Sequence, residues 1–247
     1  MVRIRDLSGI RIDPISVTSA DGVVRGLLYH TNRAATCVIL CHGYSSGKHN
    51  VDPLAYHLAA EGYVVLAFDF QGHKLGASSL PLAKAADLIV NALDVVAYAK
   101  AMPDVRRIVI GGHSMGAAVA ISIGLRSPLV SGVIAMSTAM RRAQHLSGEG
   151  LLSGLSNRAA YVDGASSKEI TELMDTFTSR IADLAPKPLL VVAASSDALV
   201  PPSATRLLFD EASEPKTFEL IEANHTDCAE RSRFVVIRWL KTHGFAS

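Results

Sequence analysis

The chain has 247 residues, with 24 Lys plus Arg against 23 Asp plus Glu and a formal net charge of +1. That balance removes the bulk electrostatic case for nucleic acid or an anionic membrane surface as a partner. A hydrophobic fraction of 49% with 19% charged residues excludes intrinsic disorder, which needs low hydrophobicity and high net charge.

Mean hydropathy of +0.27 raises the question of a membrane. No apolar run reaches the roughly 18 to 20 residues that cross a bilayer. Arg3, Arg5, Asp6 and Arg11 interrupt any signal-peptide core near the N-terminus. Cys37, Cys41 and Cys228 lack metal-ligand spacing and leave an odd cysteine over. Cys37 and Cys41 fall on one predicted strand and cannot bridge there. The expectation is a cytoplasmic protein with reduced, buried thiols.

In chain order, residues 15–19 and 23–30 flank Asp21-Gly22 and predict an antiparallel hairpin that leads a sheet. Short apolar runs follow at 37–41, 63–68, 107–110, 132–136, 189–193 and 217–221. They are continuous rather than alternating, which suits parallel strands buried on both faces. Helices are predicted between them at 52–61, with Gly62 as a C-terminal stop, and at 82–101, followed by Pro103. Further helices are predicted at 115–126, 201–212 and 227–243, the last carrying Phe234, Val235, Ile237, Trp239 and Leu240. Strands alternating with helices predict one doubly wound α/β domain spanning 1–247.

One segment breaks the rhythm. Residues 138–183 exceed what a plain crossover needs. They hold Gly148, Gly150, Gly154 and Gly164, then a predicted helix 167–184 with the stripe Ile170, Leu173, Met174, Phe177, Ile181, Leu184. The segment reads as a small cap over the C-terminal edge of the sheet. The plainer alternative makes the last helix an ordinary sheet-covering one.

The strongest chemical signal is Gly112-His113-Ser114-Met115-Gly116, directly after a predicted strand and before a predicted helix. This G-x-S-x-G context is a nucleophile elbow, which lifts a serine hydroxyl to the sheet edge and aims a helix N-terminus at the developing oxyanion. A serine needs a base. After Ser114 the histidines are His145, in the cap segment, His225, and His243, past a long helix. His225 sits in the polar loop after the last predicted strand, where a base can reach over the sheet edge. The acid that orients it is assigned to Asp197, just past the strand 189–193. Asp163, Asp175, Asp183, Asp210, Glu211, Glu219, Glu222 and Asp227 compete, but none sits past a strand end in the preceding crossover. The oxyanion donors are assigned to the backbone N–H groups of Met115 and of Tyr44, in the loop after the third strand. His42 and His113 read as loop-bracing side chains.

Together, His42-Gly43, Phe68-Asp-Phe-Gln-Gly-His73, the elbow, Asp197 and His225 resemble an α/β-hydrolase, from about residue 15 to 245. Asp69 to Ser78 resembles the Asp-x-x-Gly-x-Gly-x-Ser turn of that superfamily, which is generally structural. Lys74 stands where the second glycine would fall, and glycine comes late, at Gly76. Below the superfamily the motifs are similar to bacterial carboxylesterases of the cinnamoyl or feruloyl esterase type, and close to monoacylglycerol lipase-like and acyl-peptidase-like members. The resemblance implies an eight-stranded, mostly parallel sheet with the site at its C-terminal edge.

The resulting expectation is a serine carboxylesterase acting on short to medium acyl or aryl esters, with no metal or organic cofactor. Acyl-peptidase, monoacylglycerol lipase and thioesterase are the alternatives within the class, and the same triad also supports C–C cleavage or perhydrolysis. A non-catalytic ligand-binding homologue is the alternative outside it. The partner is a small-molecule ester, and a homodimer through apolar surface on the last helix stays open.

Overall fold

The computed structural model describes residues 9–19, 22–30, 35–140 and 157–245. The hairpin forms as β1 (Arg11–Ser19) and β2 (Gly22–His30), paired antiparallel from Arg11 opposite His30 to Ser19 opposite Gly22. The apolar runs form β3 (Thr36–Cys41), β4 (Val64–Phe68), β5 (Arg107–His113), β6 (Val130–Met136), β7 (Leu189–Ala194) and β8 (Lys216–Ile221). All eight join one sheet in the order β1-β2-β4-β3-β5-β6-β7-β8. β3 to β8 run parallel, and β2 pairs antiparallel with β4. Pro14 offers no ladder donor, and it sits on the edge strand β1, where that loss is tolerated.

The helices are α1 (Asp52–Ala60), α2 (Asp87–Lys100), α3 (Met115–Arg126), α4 (Ser167–Thr178), α5 (Pro202–Glu211), α6 (Cys228–Arg231) and α7 (Arg233–Thr242). They split between the two faces of the sheet. Cys37, Ile39 and Cys41 of β3 pack into one core cluster with α2, α3 and α4. The alternate residues Val38 and Leu40 pack into the other, with α1, α6 and α7. Every residue of β3, β4 and β7 is buried, as continuous apolar runs require. All three cysteines are free and buried, and burial pushes their thiols up, that of Cys228 to about 12.

Four elements differ from the sequence reading. β8 was grouped with the doubly buried strands, but it is a half-buried edge whose Glu219 pairs with Arg238 of α7. The predicted helix 167–184 stops at Thr178 and continues as a 3-10 turn over Ile181–Leu184, so its buried stripe survives without one continuous helix. The Thr178 hydroxyl donates to the Met174 carbonyl, a bond that weakens the backbone ladder at that end. The last helix breaks at the buried Ser232, whose hydroxyl donates to the Ala229 carbonyl. The break rotates Phe234 into solvent, 69% exposed, and turns Val236 inward. Finally, α2 starts five residues later than predicted, because Leu82 is taken into a bridge to Gly164.

Candidate active site

β5 ends at His113 and α3 begins at Met115, so Ser114 alone makes the turn. It does so at φ 56°, ψ −116°, a conformation that side chains other than glycine rarely adopt. The Ser114 N–H donates to the Met136 carbonyl of β6 at 2.9 Å, and Ala117 N–H donates to the Ser114 carbonyl at 3.1 Å. The turn is possible because its flanks lack Cβ atoms. A Cβ on Gly116 would lie 2.3 Å from the Cys41 carbonyl oxygen and 2.5 Å from that of His42. Both are backbone atoms and cannot rotate away. Gly116→Ala is therefore expected to cost about 3 kcal/mol, read as a fall in the urea midpoint at unchanged m value. A midpoint within error of the parent would show that the elbow has room to spare.

The exit of β3 is fixed by His42. Its Nδ1–H donates to the Gly43 carbonyl at 2.8 Å, and its Nε2 accepts from the Phe70 N–H at 3.0 Å, tying the β3 and β4 exit loops together. Both ring nitrogens are thus engaged in the neutral form, and His42 braces the loop. Burial, with the neighbouring His73, pushes its pKa down to about 3. Burial likewise lowers His73 to about 4. Gly43 lies against Ser114, where a Cβ would meet Ser114 Cβ at 3.4 Å. Tyr44 and Met115 both border the same cavity as Ser114. The Met115 N–H is the first of α3 and has no acceptor within the helix.

These two rings give the stability a pH dependence. In the folded chain they stay neutral down to about 4 and about 3, whereas unfolded histidines titrate near 6.5. As pH falls below 6.5, the unfolded state binds protons that the fold refuses, so stability is lost. Above 6.5 the contribution is complete and flat. Each ring adds more than about 1 kcal/mol per pH unit inside the window. Urea midpoints are expected to drop steadily from pH 6.5 to 4.5 and to hold between pH 7 and 8. A level profile across both ranges would refute the neutral buried rings.

The exit of β7 places Asp197, buried, with Oδ1 accepting from the N–H groups of Leu199 (2.9 Å) and Val200 (2.8 Å). Its Oδ2 lies 2.8 Å from His225 Nδ1. Burial pushes the Asp197 carboxyl up, but the bond to His225 and the Val200 N–H outweigh it and hold it below the ordinary carboxylate range. The His225 loop is pinned from both sides. Asn224 Oδ1 accepts from Thr226 and Asp227 N–H, while Asp227 Oδ1 accepts from Asn224 N–H. The His113 ring packs against that of His225, with centroids 4.7 Å apart.

Residues 32–164 match the family model of the serine aminopeptidases, S33. The chain belongs to this family. No curated protein matches it. Among solved structures, it is similar to the α/β hydrolase GrgF from Penicillium sp. sh18, at 18% identity over 94% of this chain and 97% of that one, TM-score 0.74. It is also similar to the esterase PF2001 of Pyrococcus furiosus, at 24% identity over 97% and 91%, TM-score 0.70. A third is Est1E of Butyrivibrio proteoclasticus, at 18% identity over 93% and 96%, TM-score 0.69. The fold is that of an α/β-hydrolase.

In this S33 chain Ser114, His225, Tyr44 and Met115 surround one cavity of about 500 Å³, with Asp197 behind His225. The rival acids Asp183, Asp210 and Glu219 are held by Arg180, Arg206 and Arg238 instead. His243 bonds the Trp239 carbonyl at the end of α7, and His145 lies outside the described residues. Asp69 is structural. It accepts from Lys48 N–H (2.7 Å), Lys48 Nζ (2.8 Å) and Ala77 N–H (2.8 Å), and Gly76 takes the close approach to its side chain. A Cβ on Gly76 would lie 2.6 Å from Asp69 Cβ, so only glycine fits there. The sequence reading missed the α4 side of the cavity, where Ile170 and Met174 enter, and the apolar rim from Leu199 and Val200. Among the described residues no His, Cys, Asp and Glu group could hold a metal, and no helix is long and apolar enough to cross a membrane.

Proposed function

We propose that the chain is a serine carboxylic-ester hydrolase using Ser114, His225 and Asp197 on short to medium acyl or aryl esters. The observation that carries this is the 2.8 Å bond between buried Asp197 and His225, in a loop that borders one cavity with the elbow serine. Asp197 holds the proton on His225 Nδ1, which leaves Nε2 to accept the Ser114 proton. Ser114 Oγ forms a bond to the ester carbon, and the tetrahedral oxyanion takes the Tyr44 and Met115 N–H donors. The C–O bond to the alcohol then breaks, and His225 returns the proton to the leaving alkoxide. Water, deprotonated by His225, attacks the acyl-enzyme and releases the acid and free Ser114. Of the 138–183 cap segment, residues 141–156 lie outside the described residues, and its described helix α4 borders this cleft.

Covalent labelling tests the assignment. A fluorophosphonate is expected to leave one adduct, on the peptide carrying Ser114, and to abolish hydrolysis of p-nitrophenyl butyrate. An enzyme that is unlabelled, or labelled elsewhere, overturns it. The family name raises an aminopeptidase reading, which needs an anion to hold a substrate ammonium beside the acyl carbon. The α4 acids Glu169, Glu172 and Asp175 do not border the cavity, and the carboxylates that do, Asp227 and Glu230, come from the His225 side. A panel of esters, thioesters and aminoacyl anilides separates the readings, with esters expected to be fastest.

A further inference from the structure

The cleft has two unlike walls, built from opposite faces of the sheet. α4 shares a core cluster with α2 and α3, whereas α1 and α6 belong to the other cluster. From α4 the cavity receives Ser167, Ile170, Thr171 and Met174, one face of two helical turns. Burial deepens along it, from half-buried Ser167 and Thr171 to Ile170 at 3% and Met174 at 0% exposure. Ile170 and Met174 thus form the buried apolar part of this wall.

The facing wall comes from the segment leading into α1 and from the His225 loop running into α6. It presents Asn50, Thr226, Asp227 and Glu230. Asn50 Nδ2 donates to the Thr226 carbonyl at 3.4 Å, which joins the two parts, while its buried Oδ1 has no partner among the described residues. Asp227 is engaged by Arg231 and by Asn224 N–H. The remaining anion on this wall is the Glu230 carboxylate, exposed at the rim. The wall thus offers acceptors and the Glu230 carboxylate, while the lining arginine, Arg158, comes from the segment before α4.

The proton route decides which wall takes which half of the ester. His225 must hand its proton to the leaving alkoxide, so the alcohol departs beside His225, along the Asn50–Glu230 wall. The oxyanion is held between Tyr44 and Met115, and the acyl chain is left the side where α4 stands. From this juxtaposition we infer that the two walls divide substrate recognition between them. The α4 trough takes an apolar acyl chain, with Met174 setting its length. The α6 wall takes a polar alcohol, with Glu230 favouring positive charge. The substrate class is an ester of an aliphatic acid with a polar, preferentially cationic alcohol. This rests on the esterase reading above and adds its substrate.

The test crosses two substrate series with variants of the full-length enzyme. The acyl series is p-nitrophenyl acetate to decanoate. The alcohol pair is butyrylcholine against its uncharged isostere, 3,3-dimethylbutyl butyrate. Active sites are titrated with fluorophosphonate, so that misfolded molecules do not count. Met174→Ala is expected to raise the octanoate-to-butyrate ratio of kcat/KM about tenfold, and Met174→Phe to lower it by a similar factor. Both should leave the choline preference within about twofold. Glu230→Gln is expected to lower the choline preference about threefold, in the range of an exposed ion pair, with the acyl profile unmoved. The inference is overturned if both Met174 variants keep the parent's chain-length profile, if Glu230→Gln leaves the choline preference in place, or if the effects appear on the opposite series. A parent enzyme without Ser114-dependent ester hydrolysis fails the esterase reading itself, which is a distinct result.

Discussion

Ser114→Ala is expected to lower kcat/KM for p-nitrophenyl butyrate by about 10⁵- to 10⁶-fold, with melting unchanged. The substitution removes one oxygen and nothing else. Alanine keeps the Cβ, so the backbone strain at φ 56° is the same before and after. The Ser114 N–H bond to Met136 is a backbone bond and survives. Asp197 and His225 keep their 2.8 Å contact, and the cavity keeps its shape. The loss would therefore be chemical rather than structural. The rate should not fall to that of water, because oxyanion donors and binding together supply about 10³- to 10⁴-fold without a nucleophile. Rate assays beside a thermal melt check both halves. A variant that melts like the parent and still turns over near the parent rate would remove Ser114 from the mechanism.

The elbow was legible in the sequence because sterics fix it. The turn brings the backbone at residue 116 onto the carbonyls of Cys41 and His42, so only glycine fits there. The strands were legible for a similar reason, since two-sided burial demands unbroken apolar runs. Where the sequence reading went astray, the local signal was compatible with two outcomes. Thr178 and Ser232 fit a continuing helix as well as one broken by a hydroxyl-to-carbonyl bond, and only packing decides. The run 217–221 could not reveal that, among the described residues, nothing pairs beyond β8, because edge position is a property of the assembled sheet. Ser114, Asp197 and His225 could be proposed from the sequence because each follows a predicted strand at the C-terminal edge of the sheet. The walls of the cleft were not, because Met174 and Glu230 come together from segments that share no motif. The turn after β4 shows the middle case. Its late glycine departs from the resembled spacing, and the structure gives it a local reason, since a Cβ on Gly76 would lie 2.6 Å from Asp69 Cβ.

Asp197→Asn is expected to lower kcat about 10⁴-fold without unfolding the chain. The backbone dictates which way the amide must face. Oδ1 accepts two N–H donors, from Leu199 and Val200, so only a carbonyl oxygen can occupy that position. The amide nitrogen is then forced into the Oδ2 position, 2.8 Å from His225 Nδ1. There it donates, and His225 Nδ1 must accept. The imidazole proton moves to Nε2, the nitrogen that in the proposed mechanism receives the proton of Ser114. The base is lost although every atom of it remains, and the imidazolium loses its counter-charge. Two readouts separate this from a structural fault. The His225 ¹⁵N shifts should report a protonated Nε2 in the variant and a protonated Nδ1 in the parent. Labelling of Ser114 by a fluorophosphonate should slow in step with kcat, since both need the same base. A variant with parent-like labelling and turnover would mean that Asp197 only braces the β7 exit loop, and the orienting acid would then have to be sought elsewhere.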